Sequence, residues 1–347
     1  MPDIDPDRPS QRRLAERLGL SPRTISLALN DRPGVGAATR DRVRREAERE
    51  GLMARRRALN LTIGVCVPNL ISLNSTEWGN AVIEQASRRG YAVVIQPTGA
   101  PDGDERRAAE MFRKIGVEGV ILTSSQVGED FRAPMRVEGI PVVSWATRTT
   151  RDSALTAEPA CIEVDHWAGA HQAVHHLVAE CGRERVVCLC GPDRSTSAKA
   201  KLGGFEAALA EARLAPFDVV DPKRYDFQGG YEQLEKLWAP RNGPDALFCY
   251  SDEIALGALR YCHTRGIRVP EELSIIGFDD IRISEFANPP LTTVAVPRLQ
   301  FAELAVRIIA DRLYLTHHEP FGLGGHRPYL KYRGTTSRLA AAGARGA

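Results

Sequence analysis

Beyond residue 60 the chain alternates between short apolar runs and longer amphipathic stretches. The runs Thr62–Val67, Ala92–Gln96, Gly119–Thr123, Pro141–Ser144, Arg185–Cys190, Ala246–Tyr250 and Leu273–Gly277 are rich in Val, Ile, Leu and Cys. Polar residues hardly interrupt them, which is the pattern of strands buried on both faces of a parallel sheet. Between them, apolar positions recur at helical spacing in Trp78–Arg89, Asp104–Ile115, His166–Glu180, Gly203–Ala212, Ile254–Arg265 and Leu299–Tyr314. Strand and helix in alternation predict stacked βαβ units, an α/β fold with helices on both faces of each sheet. So long an α/β region exceeds one ordinary domain, so two lobes are expected. Their strands would present carboxyl ends to a cleft, where open sheets bind ligands.

The pattern before residue 60 differs. Ser10 is placed to cap a helix reaching Leu18, with Leu14, Ala15 and Leu18 on one face. Gly19 follows, where a tight turn calls for positive φ. Ser21 then caps a second helix with Pro22 at its first position, where the missing N–H costs nothing. Ile25, Ala28 and Leu29 form its inner face. A third helix is predicted over Ala38–Glu50 with Val43 and Ala47 inward. Small Ala15, turn Gly19 and apolar Ile25 are the packing trio of a helix-turn-helix.

Charge sharpens the contrast. The net charge is only +2 overall, yet residues 1–60 hold 14 Lys+Arg against 9 Asp+Glu, and the remainder 32 against 35. A basic excess in a small helical piece fits a phosphate-backbone partner; a solvated basic helix is the plainer alternative. The start, Met1–Pro9, is acidic and polar, without the apolar core of a signal peptide, and no apolar run reaches membrane-spanning length. The seven cysteines show no metal-ligand spacing, and Cys188 and Cys190 fall inside a strand run. Reduced thiols in a cytoplasmic protein are expected, with no metal and no cofactor. The neighbouring pairs His175-His176 and His317-His318 point about 100° apart on a helix and make poor chelates. No Gly-x-Ser-x-Gly, P-loop or Gly-x-Gly-x-x-Gly occurs, so no catalytic residue and no enzymatic activity is expected.

If the first segment is a helix-turn-helix, the start of its second helix enters the major groove. Pro22, Arg23 and Leu27 are then placed to read bases, Arg23 as a bidentate partner of guanine. Ser10, Ser21, Thr24, Ser26, Asn30 and Thr39 are short donors suited to phosphates, with capping or solvent exposure as the alternative for each.

The stretch "LAERLGLSPRTISLALNDRPGVGAATRDRVRREAEREG" resembles the head of the lactose-repressor (LacI/GalR) family. "SPRTISLALN" matches that family's Ser-x-x-Thr-Val-Ser-x-x-Leu-Asn. The chain departs where the family usually has an arginine, at Leu27, and where it often has a capping serine, at Gly36. It departs further in the hinge, "GLMARRRALNLTIGV", which lacks the family's Tyr and Pro-Asn and is several residues shorter. The resemblance implies a minor-groove wedge there; Leu59 is the candidate, with Arg55 and Arg56 for the narrow groove or its phosphates.

The resemblance continues through "TIGVCVPNL", "VEGVILTSS" and "IEVDHWAGAHQAVHHLVAECGRERVVCLCGP". It is strongest in "SDEIALGALRYCHTRGIRVPEELSIIGFDDIRISEFANPPLTTV". It implies two doubly wound parallel-sheet lobes of the periplasmic-binding-protein type behind a small all-α helix-turn-helix domain. The expected boundaries are 1–54 for the head, 55–61 for the hinge and 62–338 for the sensor. Within the sensor the N-lobe is expected over 62–160 and 293–320, the C-lobe over 161–290 and 321–338, and 339–347 as a disordered tail.

The matched positions suggest an effector pocket of Ser72, Asn74, Ser75, Trp145, Lys201, Phe227, Ser251 and Asp279. Trp145 is expected to stack on a ring or sugar face and Phe227 to cover the ligand. Lys201 stands where the family usually has arginine, and Asp279 where it has the ligand carboxylate. A polar wall and Lys201 lean toward a hydroxylated or anionic effector, such as a sugar or sugar derivative. The expected whole is a homodimeric repressor of a palindromic operator in double-stranded DNA, with Trp78–Arg89 and Ile281–Ala287 as its dimer surface. The alternative is a solute-binding protein of the same fold without a regulatory role.

Overall fold

The computed structural model describes residues 11–29, 34–49, 61–98, 104–123, 127–147, 161–192, 195–311 and 327–338, without the side chains of residues 11–13, 23, 26 and 146. The chain divides into two compact units, 1–62 and 63–347. In the first, α1 (Gln11–Leu18), α2 (Pro22–Leu29) and α3 (Ala37–Arg49) surround a core of Leu14, Ala15, Ile25, Ala28, Leu29, Val43 and Ala47. These are the positions that the apolar spacing selected. Gly19 has φ +62°, a left-handed value that lets the chain reverse between α1 and α2 without a Cβ clash. Arg42 donates to the Leu18 carbonyl at 2.6 Å, satisfying one of the last acceptors of α1.

The second unit holds two sheets. The first has strand order β2-β1-β3-β4-β5, from β1 (Thr62–Val67), β2 (Ala92–Pro97), β3 (Gly119–Leu122), β4 (Val142–Thr147) and β5 (Cys161–Val164). The second has order β11-β10-β9-β8-β6-β7, from β6 (Val186–Leu189), β7 (Asp218–Val220), β8 (Ala246–Cys249), β9 (Ser274–Asp279), β10 (Thr292–Ala295) and β11 (Tyr329–Lys331). Within the second sheet, β10 and β11 pair antiparallel and the other pairs are parallel. Strands β1, β3, β6, β8 and β9 are buried along their whole length, which is why they read as unbroken apolar runs.

The helices of this unit are α4 (Leu73–Arg88), α5 (Asp104–Ile115), α6 (Glu129–Glu138), α7 (His166–His175), α8 (Thr196–Glu211), α9 (Phe227–Leu237), α10 (Asp252–Arg265) and α11 (Arg298–Ala310). α7 continues into a π-helical turn, His176–Glu180, whose His176 is buried against Glu180 and Thr336. α7 and α8 pack so closely that a Cβ on Gly204 would lie 2.3 Å from the Trp167 carbonyl. α11 packs on α4, returning the chain to the first lobe.

Two expected lobe limits shift. Cys161–Val164 pairs with β4 in the first sheet, and Thr292–Ala295 pairs with β9 in the second. The chain therefore changes lobe after Val164 and after Ala295, a few residues beyond the expected points. Each strand buries its apolar residues, Ile162 and Val164 or Val294 and Ala295, against the sheet it has just followed. The short strands β5, β7, β10 and β11 and the helices α6 and α9 were not predicted. Each of these strands carries polar residues, such as Glu163, Asp218, Thr292 and Lys331, that break an apolar run, and α6 contains Pro134. The tail 339–347, the hinge through residue 60 and His317-His318 lie outside the described residues.

Candidate functional site: a cleft between two lobes and a helix-turn-helix

In the second unit the carboxyl ends of both sheets meet at a cavity of about 280 Å³. From the first lobe it is lined by the start of α4, with Ser72, Asn74, Ser75 and Trp78, and by Trp145 and Thr147 of β4. From the second come Lys201 of α8, Tyr250, Ser251 and Glu253 around the start of α10, and Asp279 at the end of β9. Seven of the eight expected pocket residues therefore converge. Phe227 does not: it opens α9, is 41% exposed and lies outside the lining, while Tyr225 just before it contributes to the wall. Asp226 caps α9 through the Gly229 N–H, which turns the chain at this point.

The second-lobe wall is charged yet internally satisfied. Lys201 is only 4% exposed, so it is no surface cation. Its Nζ donates to the Tyr250 carbonyl at 3.0 Å and lies 3.7 Å from Asp279 Oδ1. It also sits 3.7 Å from the Phe278 ring centroid and 4.2 Å from that of Tyr250, the geometry of a cation on aromatic faces. Burial pushes the Asp279 carboxyl above its ordinary range, and the Lys201 and Arg298 charges oppose that shift. Ser251 caps α10, its Oγ accepting from the Ile254 N–H at 3.4 Å.

Behind this wall Asp252 is fully buried. It accepts from the Ile281 N–H at 2.8 Å, from Ser284 Oγ at 2.7 Å and from Thr293 Oγ1. Desolvation, reinforced by Asp279 and opposed by these hydrogen bonds, raises its pKa to about 7. His166 lines the cleft floor, stacked on Phe278 with centroids 5.8 Å apart and its Nδ1 3.4 Å from Thr147 Oγ1. Burial first, and the Lys201 charge second, hold its pKa well below the ordinary histidine value, so it is neutral near pH 7.

Several contacts cross the cleft. Glu253 accepts from Ser72 Oγ at 2.8 Å and from the Leu73 N–H at 2.9 Å, so a second-lobe carboxylate covers the N-terminus of first-lobe helix α4. Glu77 of α4 accepts from the Arg282 N–H at 2.7 Å. Arg298 of α11 joins Glu77 and donates to the carbonyls of Asp279 and Asp280. Burial also raises the Glu253 pKa, against the hydrogen bonds from Leu73 and Ser72.

The first-lobe wall is different. Trp145 is buried between Trp78 and Phe301, with centroids 5.1 and 5.6 Å away. It belongs to the first lobe's core and also lines the cleft. Its Nε1, and Oδ1 of Asn74, are buried without a hydrogen-bond partner among the described residues.

Sequence reasoning missed Glu253, Asp252, Tyr250 and His166. The signal was present for Glu253, since "SDE" opens a helix directly after a buried strand and thus at a sheet's carboxyl end.

In the first unit, Ser21 Oγ accepts from the Thr24 N–H at 3.0 Å and lies 2.8 Å from Thr24 Oγ1, so both residues serve the start of α2 while remaining at its surface. Pro22 beside them is exposed, Leu27 and Thr39 are half-buried, and Arg23 and Ser26 lie on α2. Ser10, Asn30, Arg55, Arg56 and Leu59 lie outside the described residues.

Residues 174–336 match the family model described as a periplasmic binding protein-like domain. The chain is 30% identical over 317 residues to the HTH-type transcriptional repressor PurR of Haemophilus influenzae (strain PittEE), covering 88% of this chain and 91% of that protein. The fold is similar to that of a CelR–cellobiose complex, with TM-score 0.67 and 24% identity over 94% of this chain and 100% of that one. It is equally similar to a lac repressor dimer bound to operator and the anti-inducer ONPF, with TM-score 0.67 and 24% identity over 94% of this chain and 99% of that one. A helix-turn-helix unit, a two-lobed sensor and this extent of likeness place the chain in the LacI family of helix-turn-helix transcriptional repressors.

Proposed function

We propose that this repressor acts as a homodimer on a palindromic operator and that a small molecule in the cleft sets its operator affinity. The carrying observation is the cavity between the lobes, closed by cross-cleft contacts from Glu253, Glu77 and Arg298. A ligand that binds one lobe arrangement better than the other shifts their populations by that difference in affinity. The domain limits carried by this reading are 1–54 for the head, 55–61 for the hinge and 62–338 for the sensor. Ser72, Asn74, Ser75, Trp145, Lys201, Ser251 and Asp279 serve the effector, and a sugar or sugar derivative is its first candidate; cellobiose is bound in the CelR neighbour.

Two exposed start residues of α2, Ser21 and Pro22, support docking of that helix in the major groove, with Arg23 reading a base and Thr24, Ser26 and Thr39 near phosphates. Ser10, Asn30, Arg55, Arg56 and Leu59 complete the proposed DNA surface. Ile83, Ile283 and Phe286 are exposed at 39%, 48% and 70%, and they supply the apolar part of the dimer surface. The solute-binding alternative is set aside, because the relative matched over most of the chain is a repressor. No helix among the described residues is long and apolar enough to cross a membrane.

Selection of sites from random duplex DNA at two salt concentrations tests this reading. A palindrome of regular half-site spacing is the expected result. Binding that carries no motif and vanishes with salt would reduce the head to backbone attraction. Arg23→Ala should relax preference at one base pair per half-site, a loss of about 1–3 kcal/mol of discrimination. An unchanged preference would remove Arg23 from the readout.

A further inference from the structure

Helix α4 belongs to the first lobe, yet the second lobe caps it. Ser72 stands at its N-cap position, and its side chain accepts no capping bond from the helix. Its Oγ donates instead to Glu253 Oε2 at 2.8 Å, and the Leu73 N–H donates to Glu253 Oε1 at 2.9 Å. Both carboxyl oxygens are therefore engaged across the cleft. Glu253 is 6% exposed and lies in the first turn of α10. α4 follows β1 and α10 follows β8, so the first turns of two helices meet at one carboxyl group. A second seam lies next to a crossover. Arg298, at the start of α11 just past β10, joins Glu77 and donates to the carbonyls of Asp279 and Asp280. Asp279 is the register partner of Ala295, after which the chain changes lobe. Neither Ser72 nor Glu253 adjoins the crossovers after Val164 and Ala295. A rotation of the lobes about those crossovers thus keeps Arg298 close to the axis and carries Glu253 off Ser72 and Leu73.

We infer that Glu253 is a built-in latch: the second lobe supplies the N-cap of a first-lobe helix, so cleft closure and the capping of α4 are one event. The protein's own groups then bias the lobes toward closure, and Glu253 sets the resting affinity for operator. That last step rests on the reading that lobe arrangement controls operator binding. Opening uncaps α4 and returns the Leu73 N–H and Ser72 Oγ to solvent. Caps and hydrogen bonds of this kind shift an equilibrium by about ten-fold. Throwing two states from one side to the other takes about ten-thousand-fold. The latch therefore biases the lobes and leaves the larger share of the shift to a bound molecule. Burial disfavours a charge on Glu253, so the latch works through its hydrogen bonds. An amide can stand in, its oxygen accepting from Leu73 and its nitrogen donating to Ser72 Oγ.

The test reads the closed-to-open ratio of the full-length protein, dialysed free of small molecules. Energy transfer is measured between labels carried by non-natural amino acids at exposed Lys114 of the first lobe and exposed Lys236 of the second. Glu253→Ala should lower the ratio about ten-fold. Ser72→Ala, which keeps the Leu73 bond, should lower it less. The double variant should fall short of the product of the two effects, because both remove the same bond. A strictly multiplicative result would mean that Ser72 and Glu253 act apart, and would overturn the latch. Glu253→Gln should stay close to the parent. An unchanged ratio in Glu253→Ala, with hydrogen exchange at the Leu73 amide raised, would also overturn the latch and leave a local cap. Operator affinity is then measured on the same variants with the site selected from random duplex DNA. A Kd that shifts with the ratio supports the inference as a whole. An unchanged Kd beside a lowered ratio keeps the latch and removes the control of operator binding by lobe arrangement.

Discussion

The two walls of the cleft differ in charge and in how their buried polar atoms are satisfied. The second-lobe wall carries Lys201, Asp279, Glu253 and, behind them, Asp252, and every one of these has a partner within the protein. On the first-lobe side, Asn74 Oδ1 and Trp145 Nε1 are buried without a partner among the described residues. Lys201 and Asp279 hold the second lobe's strand ends together.

This contrast predicts that second-lobe variants lose more stability than first-lobe variants. Asp252→Ala should have the largest effect. It strands the Ile281 N–H and two hydroxyls in a buried site, and about 3 kcal/mol of unfolding free energy should disappear in urea titrations. A change under about 1 kcal/mol would contradict the assignment of Asp252 as a strut. The same residue sets a pH dependence. Its pKa is raised from 3.8 to about 7 in the folded protein. The folded state therefore holds this proton more tightly, so its contribution is complete below about pH 4 and is lost as pH rises to about 7. Asp252→Asn should flatten stability across that window, and an unchanged slope would place the titration elsewhere.

Lys201→Met comes next. Removing one member of a buried pair is strongly destabilising, but Asp279 already sits above the usual carboxylate range and can take up a proton. A loss of about 2 kcal/mol is expected, at the low side of such cases. Adding Asp279→Asn should recover part of it, and strict additivity in the double-mutant cycle would show that the two do not interact. Ser251→Ala removes the α10 cap and should cost about 1 kcal/mol, visible as a lower denaturation midpoint. Asn74→Ala should be smallest on this scale, within about 0.5 kcal/mol of the parent, because no internal bond is lost through its amide oxygen. A larger loss there would erase the distinction between the walls.

Much of this was legible beforehand. The head core from Leu14 to Ala47 followed from helical spacing, because one apolar face on each of three short helices can be buried in few ways. The buried strands β1, β3, β8 and β9 announced themselves as apolar runs, and residues at their carboxyl ends were placed in the cleft accordingly. β5 and β10 were missed because polar Glu163, Thr292 and Thr293 break them as apolar runs, and with them went the lobe limits.

The chain's order of apolar and polar residues thus settled which segments become helix or strand, that strands lie buried in parallel sheets, and that a basic helix-turn-helix precedes them. Such properties depend on local spacing and on which face must leave water. Which polar groups satisfy one another was settled only by folding. Glu253 meets Ser72 across 181 positions and Arg298 meets Glu77 across 221, distances over which no local pattern carries information. The same holds for Trp145, which folding packs beside Trp78 and Phe301. A residue's type sets what bonds it can make, but its partners depend on the close packing of segments distant in sequence.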